Sequence, residues 1–224
     1  MTVAIHPSLM NHEQSLSFGI IHYKGIHIGD SPQMLKGRLQ LFQESIFFEL
    51  QDQNVTDFDG IKEWRTIFKT LGKDPNRYRH SAEALYRRIK KQNYLTSVHS
   101  AIDVNNFFSL EYQSPIGLYD QQKINGDVTI RLGLQGEAYD GLNGRSNSAE
   151  NLLITADATG PFGSPYVDSE RTAVTSKTTE ALQIIYLRPN LPAEDKRKLT
   201  ESLKEMFIQV HGGTGDVELQ NNRT

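Results

Sequence analysis

Residues 181–187 read ALQIIYL, with one polar side chain, Gln183, among apolar neighbours and the β-branched pair Ile184-Ile185 at the centre. Seven such residues suit a strand buried on both faces and are too few for a core helix. Shortly afterwards Pro192 opens a helix. Leu199, Leu203, Met206, Phe207 and Val210 recur along it at helical spacing, and Gly212-Gly213 stop it. Working outward, residues 127–132 and 151–156 read as further strands separated by glycine turns at Asn125-Gly126 and residues 141–144. Residues 159–165 (TGPFGSP) are too punctuated for any regular element. On the N-terminal side, residues 16–28 (LSFGIIHYKGIHI) are broken by Gly19 and Gly25 and predict two short strands with a tight turn. Ser31-Pro32 then starts a helix with Leu35, Leu39, Phe42, Ile46 and Leu50 on one face. A second helix over residues 61–71 turns Ile61, Trp64, Phe68 and Leu71 inward and stops at Gly72. A third is capped by Ser81, with Leu85 and Ile89 inward.

These elements predict an α+β fold, a mainly antiparallel sheet with flanking helices. Residues 1–60, hairpin and helix, belong to the same compact unit as residues 61–212, and polar residues 213–224 form a flexible tail.

At 224 residues, with 37% apolar and 23% charged side chains, the chain is long enough for one sizeable core. It has no cysteine, which excludes disulfides, thiolate metal sites and cysteine nucleophiles. Its apolar runs are too short to cross a bilayer, and its first residues lack a basic region followed by an apolar one, so no secretory leader is expected. A cytoplasmic protein fits these features. The seven histidines, His12 among them, include no HExxH pair, and no metal or cofactor is expected. Neither a GxSxG elbow, a P-loop nor a GxGxxG turn is present.

Net charge is −3, yet residues 62–91 carry ten cations against three carboxylates, a local +7 that leaves −10 elsewhere. Tyr78, His80, Tyr86 and Tyr94 interleave with these cations. The segment is either a solvated basic helix face or an RNA surface, in which lysine and arginine hold phosphates and flat rings stack on bases. Two polar clusters stand out besides. Asn105-Asn106 lies between apolar residues and either ties backbone inside the core or offers amides to a ligand. Asp168-Ser169-Glu170-Arg171-Thr172 packs five hydrogen-bonding side chains into one stretch.

Residues 101–120 (AIDVNNFFSLEYQSPIGLYD) resemble the segment of the phenylalanyl-tRNA synthetase β subunit that reads roughly VVDVTNYV-LE-GQP-HAFD. Residues 123–131 continue the likeness, which runs from about Trp64 to Gly212 and covers the B3/B4 editing domain of that subunit. The stretch GPFGSPYVDSERTAVTSKTTEAL, residues 160–182, is similar to the hallmark of free-standing proteins made of that domain alone. The resemblance implies a B3/B4 fold and a trans-editing aminoacyl-tRNA deacylase that takes the 3′ end of a mischarged tRNA as partner. Retention of the fold as a non-catalytic pocket for an amino acid or related metabolite is the alternative. It further implies that Asn106 matches a pocket asparagine, that Asn105 replaces a pocket threonine and that Gly117 replaces a pocket histidine. Ile184 stands where a glutamate reads the tyrosine hydroxyl. Asp168, Ser169, Arg171 and Thr172 are the candidate replacement contacts, and Arg77, Arg79, Arg87, Arg88, Lys90 and Lys91 the candidate RNA-binding cations. The expectation is that residues 105–106 and 168–172 line one recess.

Overall fold

Ile184 and Ile185 lie at the heart of the strand that organises the molecule. The computed structural model describes residues 1–10 and 15–223; His12 and Thr224 lie outside them. Strands β1 (Val3–Ile5) and β2 (Ser17–Lys24) lead into helices α1 (Gln33–Asp52), α2 (Asp59–Thr70), α3 (Ser81–Lys90) and α4 (Ser100–Tyr112). Then come β3 (Ile116–Asp120), β4 (Val128–Leu132), β5 (Ala138–Gly141), β6 (Arg145–Ser148), β7 (Leu153–Asp157), β8 (Gly160–Gly163) and β9 (Glu180–Leu187). Helix α5 (Ala193–His211) and β10 (Thr214–Asn221) complete the chain.

One sheet has the order β10-β2-β9-β3 and is antiparallel throughout. A second has the order β1-β4-β7-β8, with only β1–β4 parallel, and β5–β6 is a separate pair. The fold is α+β. Side chains alternate across β9, as strand geometry requires. Ala181, Ile185 and Leu187 pack with Leu35, Ile89, Val104 and Phe207 of the helices. Leu182, Ile184 and Tyr186 pack with Ile130, Ile154 and Phe162 of the second sheet and with Trp64 of α2. The first sheet is therefore the middle layer, covered by α1, α3, α4 and α5 on one face and by the second sheet and α2 on the other. Ile184 is fully buried there, worth about 1.5–3 kcal/mol of apolar burial.

The structure corrects several expectations. Residues 16–28 form no hairpin: β2 is one eight-residue strand between β10 and β9. Gly19 is not a break but a point of close approach, because a Cβ there would stand 2.6 Å from the Thr200 Oγ1 of α5. Gly25, at φ +69°, ends the strand. The expected flexible tail over residues 213–224 is instead a paired strand through Thr214–Asn221, with Thr224 outside the described residues. Thr214–Asn221 pairs with all eight residues of β2, and an edge strand facing solvent explains the polar composition. Gly212 and Gly213, both at positive φ, make the turn from α5 into it. Within residues 159–165, Gly160–Gly163 is a strand that pairs with β7 across a bulge. His80, not Ser81, caps α3, accepting the Glu83 N–H on Nδ1. On α1, Phe42 packs partly buried against the core as expected, and Gln43 is buried beside it because its amide closes two bonds on the Leu95 backbone.

Candidate functional site

Helix α4 begins under strong local control. The His99 side chain caps it, and the buried Asp103 carboxylate accepts from the Ser31 and Ser97 hydroxyls and from Val98 N–H. Two residues on, the Asn105 amide donates to Ile116 O at 3.1 Å and its oxygen accepts from Gln183 Nε2 at 2.8 Å. Gln183 accepts in turn from the Tyr23 hydroxyl at 2.9 Å. Asn105 thus ties α4 to β3 and β9 inside the core, and its hydrogen-bonding capacity is used by the protein. Asn106 is half-buried, and its side chain makes no hydrogen bond among the described residues.

On the opposite face of the same sheet, Gly117 pairs with Ile184. A Cβ on Gly117 would overlap the Tyr119 hydroxyl, and so would one on Gly163. The Tyr119 ring fills the gap between these two glycines and sits edge-on to Phe162 at 4.9 Å. Its hydroxyl donates to Asp168 Oδ1 at 2.8 Å, and Leu118 N–H reaches Oδ2 at 3.4 Å. Burial pushes the Asp168 carboxyl up to about 7, and burial with the nearby Asp168 charge raises the Tyr119 phenol well above its usual range. Tyr186, also fully buried, bonds Thr155 at 2.9 Å.

Arg171 is committed within the protein. Its guanidinium makes a fork to both Asp157 oxygens at 2.9 Å, bonds Lys123 O and lies 5.7 Å from the Phe162 ring centroid. Burial alone would raise the Asp157 carboxyl, but the Arg171 fork and the N–H groups of Asn125 and Thr159 hold it below its ordinary value. Ser169 Oγ donates to Asp140 O and accepts from Arg171 N–H, shaping the turn that follows. Thr172 is buried, with its hydroxyl unpartnered among the described residues. Residues 105–106 and 168–172 therefore do not share a recess. Gln183 and Asn105 face the helices, whereas Asp168 meets Tyr119 between the sheets, and Arg171 leans on β7 and β8. A polar cleft of about 490 Å³ does open beside Arg171, lined also by Tyr139, Asp140, Gly160, Ser169 and Glu170.

The basic segment divides into scaffolding and free charge. Glu83 is fully buried and paired with Arg65 and Arg87 at 2.9 and 2.8 Å, so Arg65 ties α2 to α3 and Arg87 is largely spent on a pair within α3. Tyr86 and His80 are buried and offer no stacking face, the Tyr86 hydroxyl donating to Leu110 O. Burial lowers the His80 imidazole to about 3, so it is neutral. Arg77, Arg79, Arg88, Lys90 and Lys91 are exposed. Three cations outside that set make a better-formed surface. Lys62, Lys69 and Lys73 follow one another with Thr66 at steps of four, three and four, and line a cleft of about 660 Å³ with Arg65, Asp74 and Asn76. A second cleft of about 540 Å³ shares Lys62 and Thr66 and adds Asp59, Glu63 and Asn190. None of the three lysines has a carboxylate partner among the described residues, and Lys73 lies 4.6 Å from the Tyr78 ring centroid. Lys62 and Lys69 stand on α2 and Lys73 just past its end, a spacing visible in the sequence. The closing of the recess by Tyr119 is not, since Gly117 and Gly163 meet only in the fold. No helix among the described residues is long and apolar enough to cross a membrane.

Comparison with known proteins places this geometry. The B3/4 domain model matches residues 63–202. Uncharacterized protein YhzB of Bacillus subtilis (strain 168) is 34% identical over 217 residues, 97% of this chain and 98% of its own length. The phenylalanine–tRNA ligase beta subunit of Paramagnetospirillum magneticum is 32% identical over 108 residues, 47% of this chain but 14% of that subunit. An N-terminal fragment of the phenylalanyl-tRNA synthetase beta subunit from Pyrococcus horikoshii aligns over 96% of this chain and 50% of its own, with TM-score 0.46 and 13% identity. Matched over more than half its length by the family model and nearly end to end by a relative, the chain belongs to the B3/4 domain family.

Proposed function

We propose that the chain is an RNA-binding B3/4 module that holds tRNA, in the cytoplasm, against the α2 surface. The observation that carries this reading is the run of Lys62, Lys69 and Lys73 along one cleft with no carboxylate partner among the described residues. Clustered unpaired cations attract phosphates, and the counterions they release drive binding. Arg77, Arg79, Arg88, Lys90 and Lys91 extend the positive field along the loop and the end of α3. Kinship with tRNA ligase subunits supplies the choice of tRNA among RNAs. Fluorescence anisotropy with labelled tRNA tests it. Binding that weakens about tenfold when Lys62, Lys69 and Lys73 are all changed to Gln supports the reading, and absence of binding by the wild-type chain at low salt overturns it.

Trans-editing deacylation of a mischarged aminoacyl-tRNA is the second reading, favoured by the polar cleft beside Arg171. An aminoacyl ester is activated, so a positioned water and a cation near the developing oxyanion suffice without a covalent nucleophile. Arg171 is the cation of that cleft, and Ser169, Asp140 and Glu170 are its water-orienting groups. The space beside Gly117, by contrast, is filled by Tyr119 and admits neither an aminoacyl group nor a free amino acid. A panel of mischarged tRNAs separates the two readings: ester loss faster than in buffer, abolished by Arg171→Gln, supports editing, and loss at the buffer rate leaves a binding module alone.

A further inference from the structure

The outer face of α1 breaks the rule that a surface helix hides its large apolar side chains. Met34, Leu41 and Phe48 are 63%, 69% and 70% exposed, among the most exposed large hydrophobic residues of the chain. They follow at intervals of seven, so all three point the same way along a helix of twenty residues. The buried face of α1 is a different one, formed by Leu35, Leu39, Gln43, Ile46 and Leu50. Beside the exposed stripe stands Gly37, with nothing within 4 Å of the Cβ it lacks. A glycine inside an exposed helix costs about 1 kcal/mol relative to alanine, and it leaves a notch where another backbone can come close.

The stripe is symmetric about its middle residue. Met34 and Phe48 lie seven positions either side of Leu41, Gly37 and Ser45 four, and Arg38 and Glu44 three. A two-fold axis at Leu41, with the helices antiparallel, sets Leu41 against its own copy and Met34 level with Phe48 of the other chain. The small residues Gly37 and Ser45 then meet at one level, and the opposite charges of Arg38 and Glu44 at the next. An isologous contact needs such a self-complementary patch. Both side chains reach the surface, Arg38 with the Glu111 carboxylate also nearby. Arg38 is exposed over the Phe107 ring, and Glu44 uses one oxygen to accept from Gln40. We propose that this face of α1 is a homodimer interface, an antiparallel pair of α1 helices from two copies of the chain. It lies on the helical side of the molecule, away from the second sheet and the Arg171 cleft, and is independent of the RNA reading.

Sedimentation velocity and cysteine crosslinking test it. A contact built on one helix from each copy is small, so the expected dissociation constant is micromolar, on the order of 1–100 μM. Leu41→Glu sets two carboxylates face to face and weakens association at least about tenfold, with circular dichroism unchanged. Arg38→Glu and Glu44→Arg each weaken it, and the double exchange restores it. Because the chain has no cysteine, Leu41→Cys introduces a lone thiol on the axis and gives a disulfide-linked dimer on mild oxidation, whereas Leu134→Cys, exposed elsewhere, does not. A wild-type chain that stays monomeric up to about 200 μM, equal crosslinking at both positions, or a charge exchange that fails to restore association overturns the proposal.

Discussion

The hydroxyl of the fully buried Tyr119 and the Asp168 carboxylate are joined at 2.8 Å, and the Tyr119 ring occupies the gap that Gly117 and Gly163 leave open. Tyr119 of β3 packs edge-on against Phe162 of β8 in the other sheet, and the loop at Asp168-Ser169 is bonded to both strands.

Gly117→Ala forces Tyr119 from this position, because the new methyl overlaps the phenol. Overpacking of a rigid core costs about 1–3 kcal/mol, and leaving Asp168 short of a donor adds about 1–3 kcal/mol. Urea denaturation reads the sum. Tyr119→Phe in the Gly117→Ala background removes the overlapping oxygen while keeping the ring carbon at 2.5 Å, so it relieves part of the overlap and the two changes together cost less than their separate effects added. Strict additivity contradicts the contact.

Asp168 makes stability depend on pH in an uncommon direction. Its carboxyl is raised from an ordinary value of 3.8 up to about 7 by burial. Between these values the native state binds the extra proton, so this group contributes stability at low pH that is lost as pH rises towards 7. The neutral His80 works the other way, losing stability as pH falls from its ordinary 6.5 towards about 3. The difference between wild type and Asp168→Asn isolates the first effect. Relative to wild type, the variant gains as pH rises from about 5 to about 8. Melting temperatures that move in parallel across that range contradict a buried, protonated Asp168.

Arg171→Ala strips the buried Asp157 of its fork and costs about 2–3 kcal/mol. Arg171→Lys recovers part of it, since one ammonium cannot reproduce two parallel N–H bonds. Thermal denaturation of both variants checks the order. An Arg171→Ala chain as stable as wild type means that the guanidinium is free for a ligand.

Long elements with a single dominant period were legible in the sequence. The α5 stripe from Leu199 to Phe207, the β9 run and the start of α1 after Pro32 all appear in the structure. Polar and glycine-bearing strands were not. Strand β10 has only Val217 and Leu219 alternating toward the core, too short an apolar signal among polar residues to be read as a strand, and Gly19 reads as a break because the helix it accommodates lies about 180 residues away in sequence. The site residues failed for a related reason. Adjacent asparagines and a DSERT stretch advertise hydrogen bonds but not their partners, and the partners here are Gln183, Asp157 and Tyr119 within the chain. Lys62 and Lys69 of α2, and Lys73 just past its end, were in plain view by spacing, but spacing does not tell which cations of a basic segment are neutralised. Arg65 and Arg87 are spent on Glu83, and Lys62, Lys69 and Lys73 have no such partner among the described residues.

The salt dependence of tRNA affinity is the most direct test of the α2 surface. Each phosphate held by a cation adds about 0.7–0.9 to the slope of log affinity against log salt. Changing Lys62, Lys69 and Lys73 together to Gln is predicted to reduce that slope by about 2, with the fold intact by circular dichroism. A slope identical to wild type contradicts the claim, because it leaves the three lysines with no phosphate to hold.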